Sequence, residues 1–302
     1  AQWGDNPFEL KNVLKYWVRS RDNDTHLIPT DTLYVAIDKN AVKKSGMMMA
    51  SDTIPDRMVI SLKGKNALYK SDLMMLELIA QSNWTRPIYV ATTVGQENYM
   101  NLGDNFIQEG LANRISPFTT NKPGAKNFDT EKVYNNVMNR FKFGGLDKPG
   151  LYLDETVMKM CYTHRKLMAT LALNLIVEGK TAKAAKVLAY ADKMIPEYNV
   201  PVNFMSGGLD YAEAYALVGN KQKALHMLNA VVKNAKQYAE WYLQLNGSNF
   251  MMSQQDAMLQ FYILNKASES AEVVDKKVSS EIQKSLQNYM RIYQAKGGQP
   301  MQ

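Results

Sequence analysis

Residues 168–196, MATLALNLIVEGKTAKAAKVLAYADKMIP, decide the fold of the larger part of this 302-residue chain. An apolar stripe at positions i, i+3, i+4, i+7 and i+8 predicts an amphipathic helix, and it consists of Met168, Leu171, Ala172, Leu175 and Ile176. Gly179-Lys180 interrupts the stripe, and a second one then runs up to Pro196 through Ala184, Val187, Leu188 and Ala191. The segment therefore predicts two helices joined by a tight turn.

The same pattern returns 40 residues further along the chain, in Leu209, Ala212, Tyr215, Gly219, Ala224, Leu228 and Val231. Small residues occupy the positions where two helices must approach closely. A helix pair of this kind cannot bury its apolar face alone, so it stacks on its neighbours. We therefore predict helical repeats at about residues 164–196 and 204–236. Such stacks usually hold partners and rarely carry out chemistry.

The first 118 residues show a different pattern, in which helices alternate with buried strands. The predicted elements are a helix over 7–20, strands at Thr32–Ile37 and Met58–Leu62, a helix capped by Ser71, a strand at Ile88–Thr92 and a helix at Asn101–Arg114. Because the strand at 88–92 is apolar on both faces, it is predicted to be central. This alternation indicates a small α/β domain.

The composition changes between Thr119 and Thr130, a segment that reads as a linker. We therefore predict an α/β domain at residues 1–122 and an all-α domain with tetratricopeptide-like repeats at 123–302. Asp129 or Thr130 caps the first helix of the second domain, and Ser253 begins a later one. From this linker to about Lys296 every strong signal has helical period, and Tyr238, Trp241 and Tyr242 share one helix face.

The composition excludes several classes of protein. Hydrophobic residues make up 46% and charged residues 22%, as in an ordinary globular protein. The net charge is +7, but the basic residues are scattered and no aromatic-interleaved basic motif occurs, which argues against nucleic acid. A mildly cationic surface, of the kind that faces anionic lipid, is the better interpretation. The single cysteine, Cys161, excludes an intrachain disulfide and a multi-cysteine metal site.

Three groups of blocks carry a resemblance to a known family. The first group is Trp3–Pro7 with Ile28–Thr32. The second is Asn83–Gly95, which runs on through Glu97-Asn-Tyr and Gln108–Phe118. The third is Phe141–Glu155 with Ile195–Pro201. Over nearly its whole length the chain resembles the C-terminal region of the DUF2723 family. Those are large bacterial inner-membrane proteins that are similar to protein O-mannosyltransferases. The first helix pair also resembles a tetratricopeptide repeat, whereas the second departs from it because Lys236 stands where the first has Pro196.

The resemblance implies a location and a role. The region is expected on the periplasmic side of the inner membrane, anchored through an N-terminal multi-span part that lies outside this chain. No apolar run approaches the roughly 20 residues of a membrane span, and the chain begins without an initiator Met, as expected for a piece of a longer protein. Since the family's catalytic carboxylates lie in the membrane part, we expect no catalysis and no cofactor in this chain.

Two sets of residues are candidates for binding a ligand or partner. One brackets the third predicted strand, near the end where open α/β sheets bind ligands, and comprises Trp84, Arg86, Tyr89, Glu97, Asn98 and Tyr99. Packing between domains is the alternative explanation for that set. The other could line a concave groove of the helical repeats, and comprises Tyr152, Tyr162, Arg165 and Tyr211.

Signals for catalysis and metal binding are weak. Glu97 with Glu109, or Asp154 with Glu155, could form a carboxylate pair, but no spacing makes either pair face one pocket. Asp154-Glu155 is better explained as a helix start. The histidines are far apart, at 26, 164 and 226, so no metal site is expected. Asp52-Thr53 matches an Asp-Ser/Thr-apolar sequon of periplasmic O-glycosylation, which makes Thr53 a candidate for modification.

These observations leave three hypotheses for function. The preferred one is a binding and positioning module that presents an acceptor protein, or a partner, to the membrane part of its own protein glycosyltransferase. The second is a free-standing enzyme whose α/β domain binds a sugar or a nucleotide. The third is a purely structural cap on the membrane domain. An enzyme requires a convergent pocket with titrating groups, whereas a module requires an exposed groove.

Overall fold

The computed structural model describes residues 7–22, 27–47, 53–118 and 127–299. Its contacts divide the chain into an α/β unit, which ends at Asn136, and a helical unit, which begins at Val137. The fold is mixed as predicted, with short strands in the N-terminal part and a long helical region after them. The predicted boundary at 122/123 and most of the predicted linker lie outside the described residues.

A three-stranded sheet forms the first part of the α/β unit. Its strands are β1 (Phe8–Glu9), β2 (Thr32–Ala36) and β3 (Arg57–Ser61), in the order β1-β2-β3. β1 runs parallel to β2, and β2 runs antiparallel to β3. The strands predicted at 32–37 and 58–62 are therefore present.

The helix predicted over 7–20 is wrong at its start. Phe8 and Glu9 pair with β2, and α1 (Leu10–Val13) follows them, continuing as one π-helical segment to Val18. The Glu9 carboxylate accepts the N–H of Asn12 at 2.9 Å and so caps the helix. Strand pairing therefore takes two residues that the sequence had assigned to the first turn of this helix.

A second three-stranded sheet is antiparallel and corrects two predictions. It contains β4 (Tyr89–Ala91), β5 (Phe106–Gln108) and β6 (Ala112–Ile115), in the order β4-β6-β5. β4, predicted to be central, is an edge strand, because it pairs with β6 on one side and exposes alternate side chains.

The helix predicted at 101–114 is also wrong, since a hairpin occupies this segment. Gly110 has a φ of 149°, which other residues avoid, and it turns the chain between β5 and β6. The N–H of Glu109 donates to the carbonyl of Ala112 at 3.1 Å and closes the turn.

Both sheets contribute to one hydrophobic core, together with α2 (Lys39–Lys44) and α3 (Lys70–Ser82). Its buried members include Leu10, Leu33, Ile60, Leu76, Ile79, Val90, Phe106 and Ile115. The cap of α3 differs from the prediction of Ser71. The helix begins at Lys70, so its cap is Tyr69 rather than Ser71, and the Asp72 carboxylate accepts the N–H of Tyr69 at 2.9 Å.

The helical unit begins within α4 (Thr130–Asn139), which Asp129 caps by accepting the N–H of Lys132 at 3.1 Å, as predicted. Its helices are α5 (Glu155–Val177), α6 (Thr181–Met194), α7 (Gly208–Leu217), α8 (Lys221–Gln244), α9 (Gly247–Met252), α10 (Gln254–Val274) and α11 (Lys276–Ala295). Asp154 caps α5, and α10 begins directly after Ser253, as the sequence predicted.

The 40-residue spacing of the sequence is visible in two matching turns. Gly179 and Gly219 adopt φ values of 74° and 84°, between α5 and α6 and between α7 and α8. The N–H of Lys180 donates to Leu175, and that of Asn220 donates to Tyr215, at 2.7 and 2.8 Å. α10 and α11 form a further pair that packs against α8. The unit is thus a stack of helix pairs, while its identity as tetratricopeptide repeats stays a prediction.

Candidate functional site

Arg165 and Tyr211, two of the residues predicted to line a groove, meet at a cavity in the helical unit. Arg165 lies on α5 and is 4% exposed, and Tyr211 lies on α7 and is 2% exposed. The Tyr211 hydroxyl donates to the Arg165 carbonyl at 3.1 Å. Of the other predicted groove residues, Tyr162 is half-buried and its hydroxyl accepts from the Asn203 side chain at 2.9 Å. Tyr152 is almost fully exposed.

The cavity has a volume of about 220 Å³. Its lining residues are Arg165, Ala191, Asp192, Ile195, Pro196, Glu197, Val202, Tyr211 and Met227. They come from α5, α6, α7 and α8 and from the loop after α6. One guanidinium, two carboxylates and one phenol therefore meet an apolar wall in a space of modest size.

Arg165 holds the loop that forms one wall of this cavity. Its Nη2 donates to the carbonyl of Ile195 at 2.5 Å and its Nη1 to that of Pro201 at 3.3 Å. Burial lowers the pKa of the guanidinium, because desolvation penalises its charged form. Asp192 and Glu197, like Tyr211, favour the charged form. The side chain is thus a buried cation whose direct partners are backbone carbonyls.

The two carboxylates of the cavity were not predicted, and both are paired. Asp192 accepts from the Tyr215 hydroxyl at 2.7 Å and forms an ion pair with Lys223. Glu197 accepts from Nε2 of His226 at 2.8 Å. Pro196 ends the first predicted repeat, and Asp192 lies one helical turn before it and Glu197 directly after it. A search for polar residues around that proline would have found them.

The same loop joins two sequence blocks that carry the family resemblance. The side chain of Asn199 donates to the carbonyls of Leu146 and Lys148 at 2.7 and 2.6 Å. The Tyr198 hydroxyl donates to the carbonyl of Asp147 at 2.5 Å. The blocks at 141–155 and 195–201 therefore form one hydrogen-bonded structure at the cavity wall.

An exposed aromatic surface lies elsewhere on the helical unit, on the C-terminal half of α8. Tyr238 and Trp241 are 47% and 53% exposed, and their rings adjoin that of Tyr242. The centroids of Tyr238 and Tyr242 are 6.3 Å apart, and those of Trp241 and Tyr242 are 4.8 Å apart. The structure thus places these three residues on one face of a helix, as the sequence predicted.

The predicted set in the α/β unit has members in several different environments. Trp84 is buried, and its Nε1 donates to the carbonyl of Ala36 at 2.9 Å. Arg86 is exposed. Glu97 and Asn98 are exposed and bond to each other at 3.1 Å. Tyr99 packs on Phe106, with ring centroids 4.7 Å apart.

Tyr89, the remaining member of that set, belongs to a hydrogen-bonded network centred on Glu109. The Glu109 carboxylate accepts from the Tyr89 hydroxyl at 2.7 Å, from Nε of Arg114 at 2.5 Å and from Nζ of Lys132 at 2.9 Å. Nη1 of Arg114 donates to the carbonyl of Met47 at 2.7 Å. Among the described side chains, Nη2 of Arg114 is a buried nitrogen without a hydrogen-bond partner.

Both acids of this network have shifted pKa values. Burial and the bond to Glu109 raise the pKa of Tyr89 to about 12. Burial also opposes ionisation of Glu109, but the bonds from Lys132, Tyr89 and Arg114 outweigh it and hold the pKa of Glu109 below its ordinary value. Glu109 is therefore an ionised structural group at neutral pH, which is unlike a catalytic acid.

The remaining candidates show varied surroundings. Thr53 is exposed, whereas its sequon partner Asp52 lies outside the described residues, as does His26. The His164 ring packs against those of Phe141 and Phe143, and Cys161 is buried on α5. In the described ranges, no three His, Cys, Asp or Glu side chains are grouped so as to hold a metal ion.

A second cavity, of about 490 Å³, lies in the α/β unit. Apolar side chains form one part of its lining, among them Val18, Ile28, Leu62, Leu68 and Leu73. Thr30, Asp31, Lys65 and Asn66 form the polar part. The Lys65 ammonium is already paired with Asp72 at 3.2 Å.

A known family model matches the N-terminal part of the chain. Residues 3–134 match the model of TMEM260-associated domain 2. That family is linked to glycosyltransferase-like membrane proteins, so this part of the chain is similar to a domain that accompanies such a protein. The match covers the α/β unit and ends within α4, before the helices that form the 220 Å³ cavity. No curated protein and no solved structure matches the chain.

The helices are amphipathic rather than uniformly apolar. Over the described ranges, none of them is both long enough and apolar enough to cross a membrane.

Proposed function

We propose that this chain is a non-catalytic binding and positioning module of a membrane-embedded protein glycosyltransferase. In this proposal it lies on the periplasmic side of a bacterial inner membrane, next to the membrane part of the same protein. Its task is to hold an acceptor protein or peptide while the membrane part transfers the sugar. The family match in residues 3–134 supports the association with a glycosyltransferase-like protein.

The observation that carries the proposal is the state of the ionisable groups at the cavity of the helical unit. General acid or base catalysis requires a group that exchanges a proton with the substrate, and a carboxylate that is already bound to a cation or a hydroxyl is poorly suited to that. Here Asp192 is bound to Tyr215 and Lys223, and Glu197 is bound to His226. Arg165 is engaged with two backbone carbonyls. The groups are arranged for recognition, because each is already held in place by another part of the fold.

The surface of the helical unit also suits partner binding. Tyr238 and Trp241 expose large aromatic surface on α8, and residues of this type dominate the energetics of protein interfaces. Nearly all of the net charge of +7 belongs to the helical unit. A mildly cationic unit of this kind also suits contact with the anionic surface of a membrane.

The proposal is tested by deletion in the full-length protein to which this region belongs. Three versions are expressed in the native host: the intact protein, one that ends just before Ala1, and one that lacks only residues 137–302. Immunoblots of membrane fractions check that the three insert equally. We expect both deletions to abolish or strongly reduce glycosylation of acceptor proteins, measured by intact mass.

The outcomes separate the competing functions. Full glycosylation by both truncated proteins would refute the module and leave a dispensable cap. If glycosylation is lost only in the protein that ends just before Ala1, the function belongs to the α/β unit, against the role proposed for the helices. A sugar-processing activity of the isolated chain in solution would favour the free-standing enzyme instead.

A further inference from the structure

We propose that the 220 Å³ cavity of the helical unit binds one neutral pyranose ring, such as a sugar carried by a glycosylated partner. The biological role of this site rests on the proposed function, but the binding itself does not. The charge, the hydrogen-bonding groups and the size of the cavity all suit such a ring.

The charges at the cavity favour a neutral guest. Asp192 is neutralised by Lys223, and Glu197 accepts a hydrogen bond from His226. The Arg165 cation faces the combined field of these two carboxylates. Because these groups of opposite sign lie close together, the cavity has no excess of one charge that would select an anion or a cation. Neither charged class is therefore favoured over a neutral polar molecule.

The polar groups match the hydroxyls of a sugar. A hydroxyl both donates and accepts, so it is satisfied where donors and acceptors lie side by side. An ionised carboxylate has about four acceptor positions, so Asp192 and Glu197 can accept from a guest while keeping their present partners. A guanidinium has five N–H donors, and Arg165 donates two hydrogen bonds to the carbonyls of Ile195 and Pro201.

The apolar wall and the volume match the rest of the ring. Ile195, Val202 and Met227 line the cavity beside the polar groups, and a pyranose presents a face of C–H groups between its hydroxyls. A space of about 220 Å³ holds about seven waters at roughly 30 Å³ each. One monosaccharide is of that size, whereas a disaccharide would leave its second ring outside.

Burial of Arg165 would strengthen any hydrogen bond that it donates to a guest. A guanidinium that is 4% exposed, with backbone carbonyls as its direct partners, carries a large desolvation cost. Hydrogen bonds to a charged donor are stronger than neutral ones. A guest hydroxyl at this side chain would therefore bind more tightly than the small size of the cavity suggests.

The test measures binding to the intact 302-residue chain by saturation-transfer NMR and titration calorimetry. The ligands are the methyl glycosides of glucose, mannose and galactose, with inorganic phosphate as the anionic probe. Glu197→Gln is the site variant, because this side chain lies at the rim and its loss of charge spares the core. Glu178→Gln is the matched control, since Glu178 ends the first helix of the same pair but does not line the cavity.

We expect at least one glycoside to bind, and its affinity to fall by about tenfold or more in Glu197→Gln, as for loss of a charge-assisted hydrogen bond. Glu178→Gln should bind as the parent does. Absence of binding by all three glycosides, tighter binding of phosphate, or equal binding by both variants would each overturn the inference. Glycoside binding combined with normal glycosylation by the truncated proteins would retain this site and refute the proposed function. Absence of glycoside binding combined with loss of glycosylation by the truncated proteins would refute this site and retain the proposed function.

Discussion

Replacing Glu109 with Ala removes the acceptor that holds together the polar network of the α/β unit. Arg114 is 1% exposed, and its Nε donates to this carboxylate at 2.5 Å. In the variant, the guanidinium keeps its bond to the carbonyl of Met47 but loses its ionic partner. Lys132 and Tyr89 each lose the same acceptor. The buried charge of Arg114 is then uncompensated.

The expected loss of stability follows from that geometry. Breaking a buried ion pair by removing one partner costs about 3–5 kcal/mol. Lys132 is partly exposed and can turn to solvent, so it adds little. With a urea dependence of about 1–3 kcal/mol per molar for a unit of this size, the unfolding midpoint should fall by at least about 1 M.

The measurement requires a signal from the α/β unit alone, because a two-unit chain need not unfold in one step. In a Trp241→Phe background the remaining tryptophans are Trp3, Trp17 and Trp84, all before Asn136. Trp84 is buried and reports unfolding of the core. Glu77→Ala is the matched control, since Glu77 forms an ion pair with Arg19 at the surface, where such a pair contributes at most about 1 kcal/mol.

Replacing both Glu109 and Arg114 tests whether the loss of stability comes from the buried, unpaired charge or from the changed packing. The double variant Glu109→Met, Arg114→Met removes the buried charge together with its partner. It should recover much of the lost stability, as has been found for other buried pairs. A loss in Glu109→Ala no larger than in Glu77→Ala would refute the reasoning, because it would mean that solvent reaches Arg114 in the native state.

Three other perturbations have expected outcomes. The pKa of Glu109 is lower in the folded chain than in the unfolded one. Its contribution to stability is therefore complete above the ordinary Glu value of about 4.3, and it is lost as the pH falls from there through the lower pKa of the folded state. The urea midpoint of the α/β unit should drop as the pH falls below that ordinary value, and less steeply in Glu109→Gln. Burial raises the pKa of the Cys161 thiol and covers its sulfur. A thiol reagent should therefore react slowly with the native chain and completely in urea. Rapid labelling of the native chain would contradict this. Gly208→Ala should destabilise the helical unit by about 1–3 kcal/mol, because the new Cβ would lie 2.6 Å from Cγ2 of Val231 and 2.9 Å from the carbonyl oxygen of Asn203. Urea unfolding followed by far-UV circular dichroism measures this loss. An unchanged midpoint would show that α7 and α8 can move apart at no cost.

The helical unit could be predicted from the sequence because its determinants are local. Apolar stripes, the turn glycines Gly179 and Gly219, and the cap at Asp154 are all read within one or two helical turns. The pairing of α10 with α11 gave no repeat signal. It rests on contacts such as that of Tyr293 with Phe261, which no local pattern specifies.

The α/β unit was harder to predict because strand pairing overrides local periodicity. Residues 101–114 have a helix-like apolar pattern, but Gly110 turns the chain and pairs the two sides as a hairpin. The edge position of β4 depends on β6, which lies further along the chain. The cavity shows the same limit. Arg165 and Tyr211 could be predicted as polar groups on repeat helices. Asp192 and Glu197 could not, because their partners Lys223 and His226 lie on another helix, about 30 residues further along the chain.

The separation of paired strands along the chain has a consequence for the order of folding. β1 pairs with β2 across a long connection, and β4 pairs with β6 rather than with the next strand, so several loops must close before either sheet exists. The helix pairs of the helical unit meet across turns of a few residues, and local contacts of this kind form faster than distant ones. In refolding from urea we expect the far-UV signal to recover before the Trp84 fluorescence. Of the two units, the one that leaves the ribosome first is thus the one that completes its native contacts last.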